Sequence, residues 1–539
     1  MFELSTLDKV VIGIYFLIVF GIAWWATYKE KVNASSSDYF LGGRNLGWFV
    51  IGASLFASNI GSEHLIGLAG TGASSGVAVS QFEILAGIAL LLLGWVFVPF
   101  YIKSGVYTMP EFLERRYDGA SRMYLSIISI VGYVLTKISV TIAAGGIVFT
   151  VIGVDFWTGA LIIVIATGIY TIFGGLKAVL YTDMIQMFVL IGGAIAVTYI
   201  GLEKLGGWNE MTSIVGPSFM SMWRPTDHPD FPWTGIMFGA PILGIWYWCT
   251  DQFIVQRVLS AKNVSEARKG TIFGGFLKMT PLFIFVVPGI IAYALSQKGL
   301  LSLEAADQAL PVLIQTLLPS GLVGLVIAGL LAALMSSLSS VFNSTSTLFT
   351  LDIYKRFEPN ASERKLVVVG QIATAVLVVV GLLWIPFMKY ISGQIFTYLQ
   401  SVQAYIAPPI TAVFLFGLFF KRLNATGSIA ALLSGLVLGA IRFITEVLYN
   451  LEKISLEEGS FMHGYATMNF LHFAIVLFII CVIVLIAVSM ATAPPPAEKV
   501  EGITYDRKAA KTAETGKGTD IALSILLAII IIGLWIYFS

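Results

Sequence analysis

Charged residues are scarce in this chain. Only 12% of its 539 residues are Asp, Glu, Lys or Arg, while 57% are hydrophobic; a soluble protein carries about a quarter charged residues. This composition excludes water as the solvent for most of the surface and indicates a membrane protein. Cysteine is also scarce: Cys249 and Cys481 both lie in apolar stretches, and so small a number excludes a disulfide framework. The net charge of +1 gives no electrostatic indication of nucleic acid as a partner.

Long apolar runs fill most of the sequence. A spanning helix needs about 20 mainly apolar residues, and by that rule the chain is an all-α membrane protein with about fourteen spans. The run at 7–27 is longer than a typical signal-peptide core and lacks a small-residue cleavage site, so we interpret it as a retained helix. The other spans are expected at 47–72, 79–102, 123–152, 155–175, 180–202, 232–256, 270–296, 318–350, 365–388, 391–420, 424–448, 468–492 and 519–538.

Lys and Arg concentrate on alternate loops. One set of loops includes Arg115, Arg257 and Arg268, whereas the opposite set carries few basic residues, such as Lys204 and Lys298. Because positive loops stay in the cytoplasm, this pattern predicts that both termini lie outside it, as an even number of spans requires. We expect a multi-pass protein of the plasma, or inner, membrane.

The domain organisation expected from these runs is a single transmembrane domain over residues 1–539. It comprises a leading helix at 7–27, a ten-helix core at 47–420 and additional helices within 424–539. A charged, proline-containing stretch around 493–518 is typical of a cytoplasmic linker.

Polar residues interrupt two of the spans at mid-membrane depth. The second span contains Ala57-Ser-Asn-Ile-Gly-Ser-Glu-His64, and the seventh contains Trp246-Tyr-Trp-Cys-Thr-Asp251. Transporters bind solutes where unwound helices offer backbone groups. Because the two interruptions are five spans apart, they predict an inverted repeat of two five-helix halves.

A cluster of hydroxyl residues, Ser336-Ser-Leu-Ser-Ser340, lies inside the predicted ninth span. Serine in a membrane helix often bonds back to its own helix, but such a cluster also suits Na⁺, which prefers oxygen ligands. Ser336 and Ser337 beside free carbonyls of Ala57 and Ile60 would form a sodium cage.

Ionisable residues inside membrane spans are costly and are functional candidates by default. For each one, structural pairing and direct contact with a solute are both open. Glu83 pairs with Lys137 or Lys278 in one interpretation, and Asp251 pairs with Lys137 in another. The residues concerned are Glu63, His64, Glu83, Lys137, Asp183, Asp251 and Lys278.

Amide and aromatic residues near the interruptions are typical of a site for a hydroxylated solute. Gln400 and Gln403 lie in the eleventh span, where an unpaired amide would cost more than about 1 kcal/mol. Tyr247 and Trp248 lie at a helix break and would offer a platform or gate to the apolar face of a sugar ring.

Several segments resemble the sodium/solute symporter family in its sodium/glucose cotransporter branch, over nearly the whole chain. They include Ala57-Ser-Asn-Ile-Gly-Ser-Glu-His64, Trp246-Tyr-Trp-Cys-Thr-Asp-Gln-Phe-Ile-Val-Gln-Arg257, Gly-Gly-Phe-Leu-Lys278 and Met-Ser336-Ser-Leu-Ser-Ser. The resemblance implies a LeuT-type fold with two inverted five-helix repeats. It also implies sodium-coupled import of a neutral sugar, glucose or galactose, by alternating access.

The resemblance further implies roles for individual residues. Tyr247 would be the inner gate, and one or two Na⁺ ions would be co-transported. The implied sugar site is Asn59, His64, Glu83, Tyr247, Trp248, Lys278 and Gln400. The implied sodium site is Ala57, Ile60, Ala333, Ser336 and Ser337, with a second ion at Asp183, Ser339 and Ser340.

Two positions keep a second substrate open. Gly244 and Gln403 stand where glucose transporters usually have hydroxyl residues, and Gly-Ser-Glu63-His64 also resembles the myo-inositol branch. Sodium-coupled transport of myo-inositol or another polyol is therefore the alternative. The expected partners are a small sugar, sodium and the bilayer, with a monomer able to function alone.

Other classes of protein are less consistent with the sequence. An intramembrane enzyme is not expected, because no His-Glu-x-x-His occurs and His64 follows Glu63 without metal-ligand spacing. The glycine-rich run from Gly70 to Gly76 follows no predicted strand, so it is not a nucleotide loop. A sensor would carry a soluble domain, which we do not expect after residue 539. A channel would need an unobstructed pore, and its turnover rate would distinguish it from a transporter.

Overall fold

The structure, a computed structural model, is helical. It describes residues 4–28, 41–61, 63–151, 153–303, 306–388, 395–505 and 517–539. Within these ranges no β-strand forms, and two isolated bridges join Leu46 to Ala261 and Arg224 to Pro232. Residues 506–516 of the expected linker, and the side chain of Glu63, lie outside the part that is described.

Twenty helices are named here in chain order. The first eight are α1 (Thr6–Tyr28), α2 (Trp48–Asn59), α3 (63–75), α4 (81–104), α5 (Met109–Arg116), α6 (119–151), α7 (Phe156–Leu205) and α8 (Trp208–Val215). The next six are α9 (235–250), α10 (Gln252–Leu259), α11 (Val264–Leu277), α12 (282–297), α13 (Ala309–Leu317) and α14 (Leu322–Phe357). The last six are α15 (Glu363–Met388), α16 (Ile395–Phe419), α17 (Ala425–Asn450), α18 (Phe461–Thr467), α19 (Phe470–Ala491) and α20 (Lys517–Tyr537).

Every predicted span outside 155–202 has a helical counterpart at similar bounds. Among the described residues, ten helices are long and apolar enough to cross a membrane, and three shorter apolar helices lie at Trp48–Asn59, Phe156–Ile169 and Gly235–Thr250. The all-α membrane class is confirmed, while the number of fourteen spans is not.

The two spans predicted at 155–175 and 180–202 differ from the structure, which has one continuous helix there, α7, of 50 residues. At about 1.5 Å per residue a straight helix of this length would measure roughly 75 Å, more than twice the hydrocarbon thickness of about 30 Å. Ala166 and Val179, 13 residues apart on α7, both pack in one small apolar cluster with Met335. Asp155 caps its start through hydrogen bonds from Trp157 and Thr158.

Both predicted helix interruptions are present. Helix α2 ends at Asn59, and Ile60 has extended backbone angles (φ −72°, ψ 99°) before α3 begins with a π-helical turn. Helix α9 ends with a π-helical turn at Trp246–Thr250, and Asp251 is extended (φ −77°, ψ 128°). The carboxylate of Asp251 then caps α10 by accepting a hydrogen bond from Phe253 N–H, as Asp commonly does at this position.

Glycines allow α3 and α12 to cross closely beside the first interruption. A Cβ placed on Gly289 would overlap the carbonyl oxygen of Ala69, and one on Gly72 would lie 2.5 Å from the carbonyl oxygen of Val286. Small residues permit such backbone approach in membrane helices. This contact fixes the helix that follows the first interruption.

We expect Gly289→Ala to destabilise the protein by about 1–3 kcal/mol, because the added methyl group forces α3 and α12 apart. Gly192→Ala is the matched control, since a Cβ at Gly192 meets nothing within 4 Å. Thermal unfolding of the purified protein, followed by size-exclusion chromatography, measures both. Equal stability of the two variants would contradict the close crossing.

Candidate functional site

A cavity lies where the first interruption faces α4, α9 and α16. It is partly open to solvent and is lined by both polar and aromatic side chains, as small-molecule sites usually are. Six of the seven residues predicted for a sugar line it: Asn59, His64, Glu83, Tyr247, Trp248 and Gln400. Gln403 lines it too, as does Phe82, which the sequence did not single out.

Helix ends place these side chains around one space. Asn59 is the last residue of α2, His64 lies in the first turn of α3, and Glu83 lies in the first turn of α4. Tyr247 and Trp248 come from the last turn of α9, directly before the second interruption. The two breaks in the chain therefore face the same cavity.

Lys278, the seventh predicted residue, follows α11 and holds the wall of the cavity together. It is 1% exposed, forms an ion pair with Glu83 and donates a hydrogen bond to Asn59 Oδ1. His64 Nε2 lies 3.1 Å from Glu83 Oε1. Gly61 N–H donates to His64 Nδ1 at 3.4 Å. Lys278 Nζ lies 3.4 Å from His64 Nε2, so the side chains of His64, Glu83 and Lys278 contact one another.

The aromatic side of the cavity is also fixed by hydrogen bonds. Asn59 Nδ2 donates to the hydroxyl of Tyr247 at 2.9 Å, and Lys137 Nζ donates to it at 3.2 Å. Lys137 Nζ also lies 4.6 Å from the centre of the Tyr247 ring. The rings of Tyr247 and Trp248 pack edge to face at 5.1 Å, so both present rigid apolar surface beside polar groups.

The ion-pairing alternatives are resolved by these contacts. Glu83 pairs with Lys278, as one of the two alternatives predicted. The predicted pairing of Asp251 with Lys137 is wrong among the described residues. Asp251 instead accepts hydrogen bonds from the hydroxyl of Tyr133 and from Phe253 N–H. The physical reason is that Asp251 caps α10, which turns its carboxylate toward the helix N-terminus.

A second polar cluster lies on the other side of the first interruption. Asp183 of α7 is fully buried, and its Oδ1 accepts from Ser336 Oγ at 2.5 Å. Ser54 Oγ donates to Asp183 Oδ2 at 2.6 Å, and Ser58 Oγ lies 2.9 Å from the same oxygen. Ser340 Oγ lies 3.2 Å from Ser58 Oγ. Four hydroxyls and one carboxylate thus converge at this point.

Residues predicted for sodium lie within and beside this cluster. Ser337 Oγ donates to the carbonyl oxygen of Ser58 at 3.1 Å, which brings α14 against the end of α2. Ala57, Ile60 and Ala333 are all buried. Because the last four carbonyls of a helix have no partner within it, the carbonyl of Ala57 is of the type that a cation uses.

Ser339, predicted for a second ion, behaves differently. Its hydroxyl donates to the carbonyl oxygen of Ser336 in its own helix at 3.0 Å. Asp183 and Ser340 are in the cluster, whereas Ser339 is joined to it only through this bond.

Arg257 was counted among loop charges, and the structure corrects that assignment. It is fully buried, and its Nε donates to Ser58 Oγ at 2.7 Å. Its guanidinium also donates to the carbonyl oxygen of Phe253, four residues earlier in α10. The spacing of Ser54 and Ser58, four residues apart on one face of α2, was the signal that could have identified both serines.

A family model for the sodium:solute symporter family matches residues 39–435. The chain belongs to this family. It is a multi-pass membrane transporter and not an enzyme, and sodium is the ion that the family co-transports. The expected family assignment is therefore confirmed.

The relatives of this symporter include sugar cotransporters. Sodium/glucose cotransporter 4 of Mus musculus is 39% identical over 97% of this chain and 81% of that protein. Sodium/glucose cotransporter 1 of Oryctolagus cuniculus is 40% identical over 91% of this chain and 79% of that protein. The sodium/myo-inositol cotransporter of Homo sapiens is 38% identical over 93% of this chain and 76% of that protein.

Solved structures confirm the fold of this symporter. A substrate-bound, outward-open Na⁺-coupled sialic acid symporter superposes with a TM-score of 0.76 at 24% identity, covering 91% of this chain and 99% of the other. Mhp1, a nucleobase-cation-symport-1 family transporter in a closed conformation, superposes with a TM-score of 0.55 at 14% identity. The superposition covers 88% of this chain and 99% of Mhp1. The LeuT-type fold predicted from the sequence is present.

We expect Glu83→Gln or Lys278→Met alone to cost about 3–5 kcal/mol of stability, because each leaves one buried charge without its partner. The double variant should recover part of this loss. Glu111→Gln is the matched control, since the Arg115–Glu111 pair is partly exposed and should contribute less than about 1 kcal/mol. Thermal unfolding measures all four, and a double variant less stable than either single one would contradict the pairing.

Proposed function

We propose that this symporter imports a neutral sugar together with Na⁺, with glucose or galactose as the first candidates. The observation that carries the proposal is the adjacency of two polar sites at one helix interruption. One is a cavity with hydrogen-bonding and aromatic groups, and the other is a cluster of hydroxyls with a carboxylate. The glucose cotransporters among its relatives support a sugar as the solute.

In this proposal the sugar lies among the seven predicted residues. Its hydroxyls donate to the Glu83 carboxylate, accept from Lys278, and exchange hydrogen bonds with Asn59, His64 and Gln400. The apolar face of the ring stacks on Trp248. Tyr247 closes the cavity from the cytoplasmic side and must rotate for release.

Sodium binds between α2 and α14. The carbonyl oxygens of Ala57, Ile60 and Ala333 and the hydroxyls of Ser336 and Ser337 provide neutral oxygen ligands, which suit a hard monovalent cation. A second ion would use Asp183, Ser339 and Ser340. Arg257, 2.7 Å from Ser58, competes for the negative charge of Asp183, so one ion is the minimum stoichiometry.

Coupling follows from alternating access. Sodium stabilises the outward-open state, the sugar then enters, and both are released after the cavity opens inward. At about 100 mV one inward charge contributes roughly 2.3 kcal/mol, and a tenfold gradient adds about 1.4 kcal/mol. One ion therefore supports an accumulation of roughly 500-fold, and a second ion would square that ratio.

Myo-inositol or another polyol is the second candidate. The human myo-inositol cotransporter is nearly as similar as the glucose cotransporters, and Gly244 and Gln403 line the cavity where a hydroxyl residue is usual in glucose transporters. The missing hydroxyl would change which ring substituent is recognised. Competition between glucose, galactose and myo-inositol separates the candidates.

The arrangement in the membrane is part of the proposal. We place both termini outside the cytoplasm, in the plasma or inner membrane, on the distribution of Lys and Arg. The ten-helix core is assigned to 47–420 within a single domain of 1–539, preceded by the helix at 7–27. A monomer contains both sites and would function alone.

Uptake of labelled hexose into proteoliposomes should require an inward Na⁺ gradient, because the ion site and the cavity share one interruption. Replacing Na⁺ by K⁺ should reduce uptake to the level of empty vesicles. Uptake that ignores Na⁺ and follows a pH gradient would contradict the sodium proposal.

Ser337→Ala should raise the Na⁺ concentration for half-maximal uptake about tenfold, since one ligand of a charged ion is worth roughly 1.5 kcal/mol or more, while the preference among sugars is unchanged. Ser346→Ala is the matched control, because Ser346 is equally buried in α14 and bonds within its own helix. A change in sugar selectivity without a change in Na⁺ dependence would reject the ligand assignment.

A further inference from the structure

The last helix, α20, is buried along one narrow stripe. Leu527 is 0% exposed and Ile531 is 2% exposed, and Asp520 is also fully buried. Ile530, Leu534 and Trp535 are partly buried beside this stripe, whereas Ile529, on the opposite face, is 59% exposed. A buried aspartate is costly in a membrane-spanning helix, so its presence indicates that α20 makes specific contacts with the rest of the protein.

The buried stripe covers the point where α4 and α11 cross. A Cβ on Gly87 of α4 would lie 3.3 Å from Ile531 and 3.7 Å from the carbonyl oxygen of Gly275. A Cβ on Gly275 of α11 would lie 2.6 Å from Leu527 and 3.7 Å from the carbonyl oxygen of Gly87. The two backbones therefore touch, and the leucine and isoleucine of α20 fill the space beside them.

This crossing lies one turn from the ion pair in the cavity wall. Gly87 follows Glu83 by four residues, and Gly275 precedes Lys278 by three, so each glycine shares a helix face with its charged neighbour. The separation of the Glu83 and Lys278 backbones is set where Gly87 and Gly275 meet. Leu527 and Ile531 limit how far that contact can slide.

Polar contacts attach α20 to both helices. Near its end, Trp535 Nε1 donates to Gln81 Oε1 at 2.7 Å, and Gln81 is fully buried two residues before Glu83. Near its start, Asp520 lies 3.6 Å from Arg268 of α11. Ser524 accepts from Trp95 of α4 at 2.9 Å. Each end of α20 is thus fixed to a helix that carries one member of the ion pair.

We propose that α20 is a positioning element for the Glu83–Lys278 pair, and that Ile531, Leu527 and Trp535 are positioning residues for solute binding. This inference rests on the proposed role of the cavity as the solute site. Binding sites need their side chains held within about 0.5 Å. Glu83 lies in α4 and Lys278 directly follows α11, and α20 contacts these two helices where they cross.

A comparison of Ile531→Ala with Ile529→Ala tests the proposal. Both variants remove the same atoms from α20, but Ile531 is buried and Ile529 is exposed. Ile531→Ala should raise the sugar KM for sodium-driven hexose uptake roughly threefold or more, with the maximal rate unchanged, as expected when binding alone is weakened. Ile531→Leu should keep the sugar KM close to that of the parent, and Ile529→Ala should have the same KM as the parent. If Ile531→Ala lowers only the amount of folded protein and leaves KM unchanged, the role is merely structural and the proposal fails.

Trp535→Phe is the second variant, should Ile531→Ala not fold. It removes the hydrogen bond to Gln81 and keeps an aromatic ring, though a smaller one, at this position. Its control is Tyr537→Phe, which removes the neighbouring hydrogen bond from Trp208 to Tyr537. KM should rise in Trp535→Phe and not in Tyr537→Phe. Equal KM values in both variants would overturn the proposal.

A measurement without sugar separates this inference from the proposed function. The loss of thermal stability caused by Glu83→Gln should be smaller in the Ile531→Ala background than in the parent or in Ile529→Ala, because coupled sites are not additive. Additive losses would overturn the positioning role even in a protein that transports hexose. A parent that takes up no hexose but shows the coupling would overturn the sugar proposal alone.

Discussion

The interruption after Asn59 is the feature on which both sites depend. Continuous helix here would pair the carbonyls of the last turn of α2 and leave nothing for a cation. Because the chain unwinds, consecutive residues serve different sites. The carbonyl oxygen of Ser58 accepts from Ser337, and the side chain of Asn59 bonds to Tyr247 and Lys278. In the proposed function, a solute at either site acts on the same few peptide units, and this is the physical basis that we propose for coupling.

Buried charge is balanced within each site. Glu83 is paired with Lys278, while Asp183 is surrounded by serines, one of which also binds Arg257. Charges buried in a membrane protein are costly unless they are paired. In the proposed function, a sugar enters by replacing bonds among side chains with bonds to its hydroxyls, and Na⁺ enters by binding to serine oxygens that now bond to one another and to Asp183. The unliganded sites are thus stabilised by contacts of the kind that the solutes would replace.

Much of the fold follows from the sequence, because apolar length and polar interruption are local properties. The spans, the breaks at Ile60 and Asp251 and the residues around the cavity could be predicted from composition, spacing and family resemblance. Features that depend on tertiary contact could not. The continuity of α7 was missed since the polar and glycine residues near 174–178 are also typical of a loop, and Arg257 was taken for a loop charge because its partner Ser58 lies 199 residues away. The one-sided burial of α20 likewise depends on glycines in two distant helices.

Binding of sugar to the purified protein, measured by titration calorimetry in Na⁺ and in K⁺, tests the shared interruption most directly. Linkage requires that two ligands affect each other's affinity by the same factor. We predict that Na⁺ lowers the sugar dissociation constant and that sugar lowers the Na⁺ dissociation constant equally. A sugar dissociation constant that is the same in both salts would show that the two sites are independent and would contradict the account.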